Sequence, residues 1–143
     1  MKIVRKGSAA WSGGLKDGRG AITTESGALD AYPYGFASRF EGQKGSNPEE
    51  LIGAAHAACF TMALSLILNE AGLTAENMET TAKVTLEKLD SGFAITAIAL
   101  TLRGTVPGAT AEQFQELAAK AKANCPVSKV LNADISLDAA LED

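Results

Sequence analysis

The residues of this chain best suited to nucleophilic chemistry are two cysteines and one histidine. Cys59 and Cys125 are the only cysteines among its 143 residues, and His56 is the only histidine. A thiolate attacks electrophiles and can be oxidised reversibly, and a histidine beside it can act as a base in acyl transfer. The thiols lie 125 − 59 = 66 residues apart, which excludes a C-x-x-C redox or zinc pair and a disulfide framework. They can act together only if the fold brings them together.

An uncharged segment around Cys59 is predicted to form a long central helix. At 3.6 residues per turn one stripe of this helix holds a possible acid, the histidine and the thiol, at spacings of 3, 4, 3 and 4: Glu49, Ile52, His56, Cys59 and Ala63. Glu50 falls nearly opposite Cys59. We therefore expect Glu50 to cap the helix and Glu49 to face the side of the thiol.

Each candidate also has a purely structural interpretation, and the spacing alone does not decide between a structural and a reactive role. Cys59 could be reactive or a small buried hydrophobic residue. Cys125 precedes Pro126 and could be a helix N-cap with a stabilised thiolate, or a half-buried structural cysteine. His56 could pair with Cys59 as a base, but a packed, hydrogen-bonded core histidine is favoured because no third orienting group stands at a recognisable spacing.

The elements that must position these residues alternate between strands and helices. Strands are predicted at residues 3–11 and 18–26, joined by the turn Ser12-Gly13-Gly14, and the irregular stretch 31–45 should hold a short strand around residues 36–40. The central helix should begin with Asn47 as N-cap and Pro48 in its first turn, and end near residue 71 before Gly72.

The second half of the chain reads as a hairpin, two helices and a last strand. The hairpin strands are predicted at residues 78–89 and 93–106, the helices at 111–123 and 126–131, and the strand at 134–141. This order is typical of an α+β protein. A chain of this length predicts a single domain, residues 1–143.

Composition excludes some functions. Thirteen basic against seventeen acidic residues give a net charge of -4, which argues against a nucleic-acid binder. The charged N-terminus lacks the pattern of a secretory signal, which predicts a cytoplasmic protein. Residues 51–68 carry no formal charge and reach the length of a membrane span. They are rich in alanine, flanked by glutamates and lack a basic belt, so we expect a helix buried on all sides in protein and no membrane association.

Four segments closely resemble the OsmC branch of the OsmC/Ohr family. They are Pro33-Tyr34-Gly35-Phe36, Arg39-Phe40-Glu41-Gly42, the helix from Asn47-Pro48-Glu49 to Cys59-Phe60, and Asn124-Cys125-Pro126-Val127-Ser128. The similarity runs essentially from end to end. It implies an OsmC-like fold, with antiparallel sheets from the N- and C-terminal strands packed around a long buried central helix in an intertwined homodimer.

The resemblance also implies a thiol peroxidase that reduces organic hydroperoxides. In the family the cysteine at Cys59 attacks the peroxide, and the cysteine at Cys125 resolves the sulfenic acid as a disulfide. The family arginine matches Arg39 and the family glutamate matches Glu49. A guanidinium would favour the thiolate, and Glu49 would hold that guanidinium. No metal or organic cofactor is implied, and the reductant would be a dithiol, of lipoyl type in the family.

An organic hydroperoxide needs an apolar pocket. The predicted lining comes from the central helix and the preceding loop: Phe36, Phe40, Ile52, Ala55, His56, Phe60 and Met62. Two alternatives remain open, a Cys/His hydrolase or acyl-transfer enzyme and a non-enzymatic ligand-binding domain with structural thiols.

The distance between Glu49 and Cys59 predicts a second subunit. Ten residues of helix separate them by about 15 Å along the axis, too far for Glu49 to hold a guanidinium against the thiol of its own chain. Two antiparallel copies of the central helix would deliver Glu49 of one chain to Cys59 of the other. We therefore expect a twofold homodimer with shared active sites.

Overall fold

The structure, a computed structural model, describes residues 1–142. The chain forms two compact units, Met1–Leu51 and a second unit that begins at Ile52. Each unit has a three-stranded sheet of its own, with the strand order β1-β2-β3 in the first and β4-β5-β6 in the second.

The first sheet is antiparallel throughout. Its strands are β1 (Gly7–Ser12), β2 (Arg19–Thr24) and β3 (Tyr32–Tyr34). The predicted first hairpin is confirmed, and Gly13 supplies the left-handed backbone of its turn with a φ of +93°.

A short helix, α1 (Phe36–Phe40), stands where the sequence predicted a short strand, and that prediction was wrong. The cause is local hydrogen bonding by Ser38. Its hydroxyl accepts from the Gly35 N–H at 2.9 Å and lies 2.8 Å from the Ser46 carbonyl oxygen, to which it donates. These bonds close a helical turn over the residues that were predicted as a strand.

Helix α2 (Pro48–Glu70) confirms the predicted central helix. Asn47 caps it, because its side-chain oxygen accepts the Glu50 N–H at 2.8 Å. Gly72 follows its C-terminus with a φ of +76°, a left-handed conformation that stops a helix.

The second sheet is mixed. Strands β4 (Asn77–Leu89) and β5 (Gly92–Thr105) form the predicted antiparallel hairpin, and β6 (Asp134–Glu142) pairs with β5 in parallel. The expectation of purely antiparallel sheets was therefore wrong for β6. Helices α3 (Ala111–Asn124) and α4 (Pro126–Val130) provide the long crossover connection that parallel pairing requires.

The core of the second unit lies between its sheet and its helices. The fully or almost fully buried apolar residues come from α2, β5 and α3, and include Phe60, Leu64, Leu68, Ile98, Leu100, Leu102, Phe114, Ala118 and Ala121. Cys125 is buried in the same cluster. The thiol is thus fixed by packing against the body of this unit.

Helix α2 is not buried on all sides within a single chain, so its complete burial in protein stays a prediction that needs a second subunit. It has the length and the mean hydropathy, 2.0, to cross a membrane, and 33% of that apolar window is buried. The core helix of a soluble protein passes the same test. Met62 and Leu66 on its uncovered side are 76% and 61% exposed.

Candidate functional site

The two thiols meet in the second unit although they are 66 residues apart in sequence. Cys59 comes from the middle of α2, and Cys125 is the residue immediately before α4. Both cysteines are free, and their side chains are hydrogen-bonded to each other. Oxidation of such a pair can join the sulfurs as a disulfide.

The surroundings shift the pKa values of the two thiols in opposite directions. Burial and the hydrogen bond with Cys125 raise the pKa of Cys59. Burial also opposes ionisation of Cys125, but hydrogen bonds from Cys59, Ser128 and Val127 outweigh it and lower the pKa of Cys125. Within this unit Cys125 therefore ionises more readily than Cys59.

An apolar cavity of about 520 Å³ opens beside Cys59. Its lining follows α2 for three turns beyond the thiol and is completed by α3 and the residue after Cys125: Cys59, Met62, Ala63, Leu66, Ile67, Glu70, Lys120, Asn124 and Pro126. A small apolar ligand can reach the Cys59 thiol through this cavity.

Arg39 and Glu49 form an ion pair in the first unit. Arg39 donates to the Glu49 carboxylate from Nη2 at 2.6 Å and from Nε at 3.0 Å. The Arg39 side chain is 35% exposed and that of Glu49 only 11%. Two donors on one carboxylate fix the plane of the guanidinium, and its exposed side remains open to an anion.

Glu50 has the different role that the helical spacing predicted. Its carboxylate accepts from the Ser46 hydroxyl at 2.8 Å and lies 3.5 Å from the Asn47 side-chain nitrogen. Glu50 therefore stabilises the start of α2, and Glu49 binds the arginine.

The predicted pocket residues lie in different environments. Phe36 and Phe40 line a cavity of about 210 Å³ in the first unit together with Arg39. Phe60 is fully buried in the core of the second unit, and Ile52 packs against that core. Ile52 and Phe60 therefore stabilise the fold and line none of the cavities described for residues 1–142.

His56 is also fully buried, and its position does not support a pocket role or a Cys/His nucleophile pair. Its Nε2 lies 2.7 Å from the Ser128 hydroxyl oxygen. Its Nδ1 has no hydrogen-bond partner among the described residues. Neither ring nitrogen is therefore hydrogen-bonded to Cys59.

Met62 was predicted to face the substrate and does line the cavity beside Cys59, but the rest of that lining and the contact between His56 and Ser128 were not predicted. The helical repeat could have indicated part of the cavity, since Met62, Ala63 and Leu66 follow Cys59 at 3, 4 and 7 residues. Among residues 1–142, no group of three His, Cys, Asp or Glu side chains is close enough to hold a metal ion.

A comparison with protein families agrees with the α+β fold. Residues 41–139 match the model of the OsmC-like proteins. The chain therefore belongs to the OsmC family.

Individual relatives are similar over most of their length. The chain is 59% identical to peroxiredoxin OsmC of Escherichia coli over 142 residues, 99% of each chain. It is 34% identical to the organic hydroperoxide resistance protein OhrB of Bacillus subtilis, over 83% of this chain and 88% of that protein. The crystal structure of OhrB superposes with a TM-score of 0.69 over 94% of this chain and 97% of that one, at 33% identity.

Proposed function

We propose that this chain is a thiol-dependent peroxidase that reduces organic hydroperoxides to alcohols. The observation that carries the proposal is the hydrogen-bonded pair of free thiols, Cys59 and Cys125. The names of the relatives support it, since one is a peroxiredoxin and the other is an organic hydroperoxide resistance protein. We further propose that both units work as one domain.

In the proposed cycle the Cys59 thiolate attacks the terminal peroxide oxygen. The O–O bond breaks, the alkoxide takes a proton and leaves as the alcohol, and Cys59 becomes a sulfenic acid. The Cys125 thiolate then attacks the Cys59 sulfur. An S–S bond forms, the S–O bond breaks, and the hydroxide leaves as water. An external dithiol, of lipoyl type by analogy with the family, returns both cysteines to thiols by exchange.

The cavity beside Cys59 supports an organic rather than an inorganic peroxide. Alkyl or aryl groups can pack against Ala63, Leu66 and Ile67 while the peroxide group reaches the sulfur. Hydrogen peroxide has no apolar part to fill this volume.

Arg39 is the residue we assign to activate Cys59. Burial raises the pKa of that thiol, and a guanidinium would counter this effect and stabilise charge on the leaving alkoxide. Glu49 would orient Arg39 through the observed ion pair.

A homodimer would deliver this arginine and cover α2. Ten residues of helix separate Glu49 from Cys59, about 15 Å along the axis, and the exposed apolar side of α2 includes Met62 and Leu66. A second copy packed antiparallel on that side would bury it and would close the outer side of the cavity beside Cys59, which Met62 and Leu66 line. It would also bring Arg39 and Glu49 of one subunit to Cys59 of the other. Such a dimer would be soluble, and we propose that it acts in the cytoplasm.

Peroxide turnover with defined variants tests this function. Cumene hydroperoxide and a small dithiol are supplied to the wild type, to Cys59→Ser and to Cys125→Ser. We expect the wild type to consume peroxide and to lose two hydrogens after one equivalent. Cys59→Ser should be inactive, and Cys125→Ser should gain an oxygen. Peroxide consumption by Cys59→Ser at the wild-type rate would refute the mechanism, and ester hydrolysis without peroxide consumption would favour a hydrolase.

A further inference from the structure

We propose that His56 is a positioning residue for the resolving cysteine, acting through Ser128. This inference rests on the proposed peroxidase cycle and concerns its second step, disulfide formation. It does not require His56 to touch the peroxide.

The geometry is a chain of hydrogen bonds in the second unit that links α2 to α4. His56 Nε2 lies 2.7 Å from Ser128 Oγ. Ser128, in the first turn of α4, in turn hydrogen-bonds Cys125 through its side chain, and Cys125 is hydrogen-bonded to Cys59. The histidine is thus two hydrogen bonds away from the resolving thiol.

The direction of these bonds follows from the proposed resolving step, in which Cys125 attacks as a thiolate. A thiolate has no proton, so the Ser128 hydroxyl must donate to Cys125. Its oxygen must then accept from His56, which makes His56 the neutral tautomer that carries its proton on Nε2. The other tautomer would accept the Ser128 proton itself and would turn the hydroxyl away from Cys125.

The unpartnered Nδ1 atom agrees with this assignment. In the tautomer with a proton on Nε2, Nδ1 is a bare acceptor in a fully buried side chain. A buried polar atom without a partner has a free-energy cost, because it has lost its hydrogen bonds to water. Burial also lowers the pKa of His56, so the ring stays neutral and Nδ1 gains no proton. A leucine at this position would avoid that cost, which suggests that the Nε2–H bond to Ser128 has a use.

We infer that the hydrogen bond from His56 orients the Ser128 hydroxyl. A freely rotating hydroxyl would point at the Cys125 sulfur for part of the time only. When His56 holds it, the Ser128 hydroxyl stabilises the Cys125 thiolate and fixes the Cys125 sulfur for attack on the Cys59 sulfenic acid. This matters because the sulfenic acid is oxidised further to sulfinic acid if resolution is slow.

The test separates the two half-reactions in His56→Leu and His56→Gln. Reduced protein is mixed with one equivalent of cumene hydroperoxide. Mass spectrometry after rapid quenching follows the Cys59 sulfenic acid, the disulfide and the sulfinic acid. We expect normal formation of the sulfenic acid in His56→Leu, disulfide formation slower by about fivefold, and more sulfinic acid, as the loss of one net hydrogen bond predicts. His56→Gln retains an amide N–H donor and should recover much of the rate.

Ser128→Ala provides the second arm. It should slow disulfide formation as much as His56→Leu does, and the double variant should be no slower than Ser128→Ala, because both changes interrupt one chain. Thr61→Val is the matched control: Thr61 is on the same helix and also hydrogen-bonds a side-chain hydroxyl, that of Thr80 at 2.7 Å. It should leave the resolution rate unchanged.

Three outcomes overturn the inference. One is wild-type resolution in folded His56→Leu, and another is additive slowing in the double variant. If His56→Leu does not fold, normal disulfide formation in Ser128→Ala overturns it as well. A wild-type protein that forms no sulfenic acid would instead refute the proposed peroxidase function.

Discussion

Replacing Glu49 by glutamine tests whether the ion pair with Arg39 serves catalysis. The carboxylate accepts from Arg39 Nη2 at 2.6 Å and from Nε at 3.0 Å. Glutamine keeps one oxygen but presents an NH₂ group to the second guanidinium donor, so Arg39 loses its fixed plane.

The size of the effect follows from the pair's exposure. Hydrogen bonds to charged groups contribute about 1.5–3 kcal/mol when buried. Because the Arg39 side chain is 35% exposed, we take the lower end, about 1.5 kcal/mol, which corresponds to about a tenfold lower rate of Cys59 oxidation. The assay is the second-order rate of sulfenic acid formation with cumene hydroperoxide in a single turnover.

Glu50→Gln is the matched control because it removes the same charge one residue away. Glu50 binds Ser46 and Asn47 at the start of α2, so this variant should lose about 0.5–1 kcal/mol of stability and keep its oxidation rate. Equal slowing in both variants would mean that Glu49 acts only as a charge at the helix start. An unchanged rate in Glu49→Gln would refute the role of the ion pair.

Three further predictions follow from the same structure. Arg39→Ala should slow oxidation of Cys59 and move the midpoint of its rate–pH profile upward. Burial and the neighbouring Cys125 then raise the pKa of that thiol unopposed, so the thiolate forms only at higher pH. Arg103→Ala, which removes the exposed pair with Asp138, should change neither the rate nor the midpoint. Refolding Glu49→Gln together with Cys59→Ser should restore about a quarter of wild-type activity, since random pairing makes about half of the dimers mixed and each mixed dimer has one complete site. If subunit exchange is demonstrated and the activity only equals the sum of the two variants assayed separately, the result would contradict a shared site. Phe114→Ala should lower the free energy of unfolding by about 3–5 kcal/mol in a denaturant titration, because Phe114 is fully buried. A decrease of less than about 1 kcal/mol would contradict the packing of α3.

Local signals in the sequence were sufficient for most of the elements. Asn47 and Pro48 define the start of α2 because a cap and a first-turn proline act within one turn of backbone. The helical repeat separated Glu49 from Glu50, and their hydrogen bonds agree with that separation. The same kind of argument failed for α1, where a hydrogen bond from Ser38 to Ser46, eight residues away, decided the conformation.

The pairing of distant segments could not be obtained from local patterns. Strand β6 has the alternating burial that either direction of pairing allows, and its parallel alignment with β5 depends on the α3–α4 crossover. The extent of exposure on α2 is likewise a property of what packs against it, since its own sequence is apolar nearly all round.

The sequence by itself determined which residues could react: two thiols, one histidine, and an arginine and a glutamate in segments that resemble the OsmC family. Only the tertiary structure decided how the second unit connects the thiols. The packing of α2 against the chain around Cys125 brings the sulfurs into hydrogen-bond contact across 66 residues and places Ser128, rather than Cys59, on the His56 ring. A helical repeat specifies the face of a helix on which a side chain lies, but the group that meets it there depends on the fold of the whole unit.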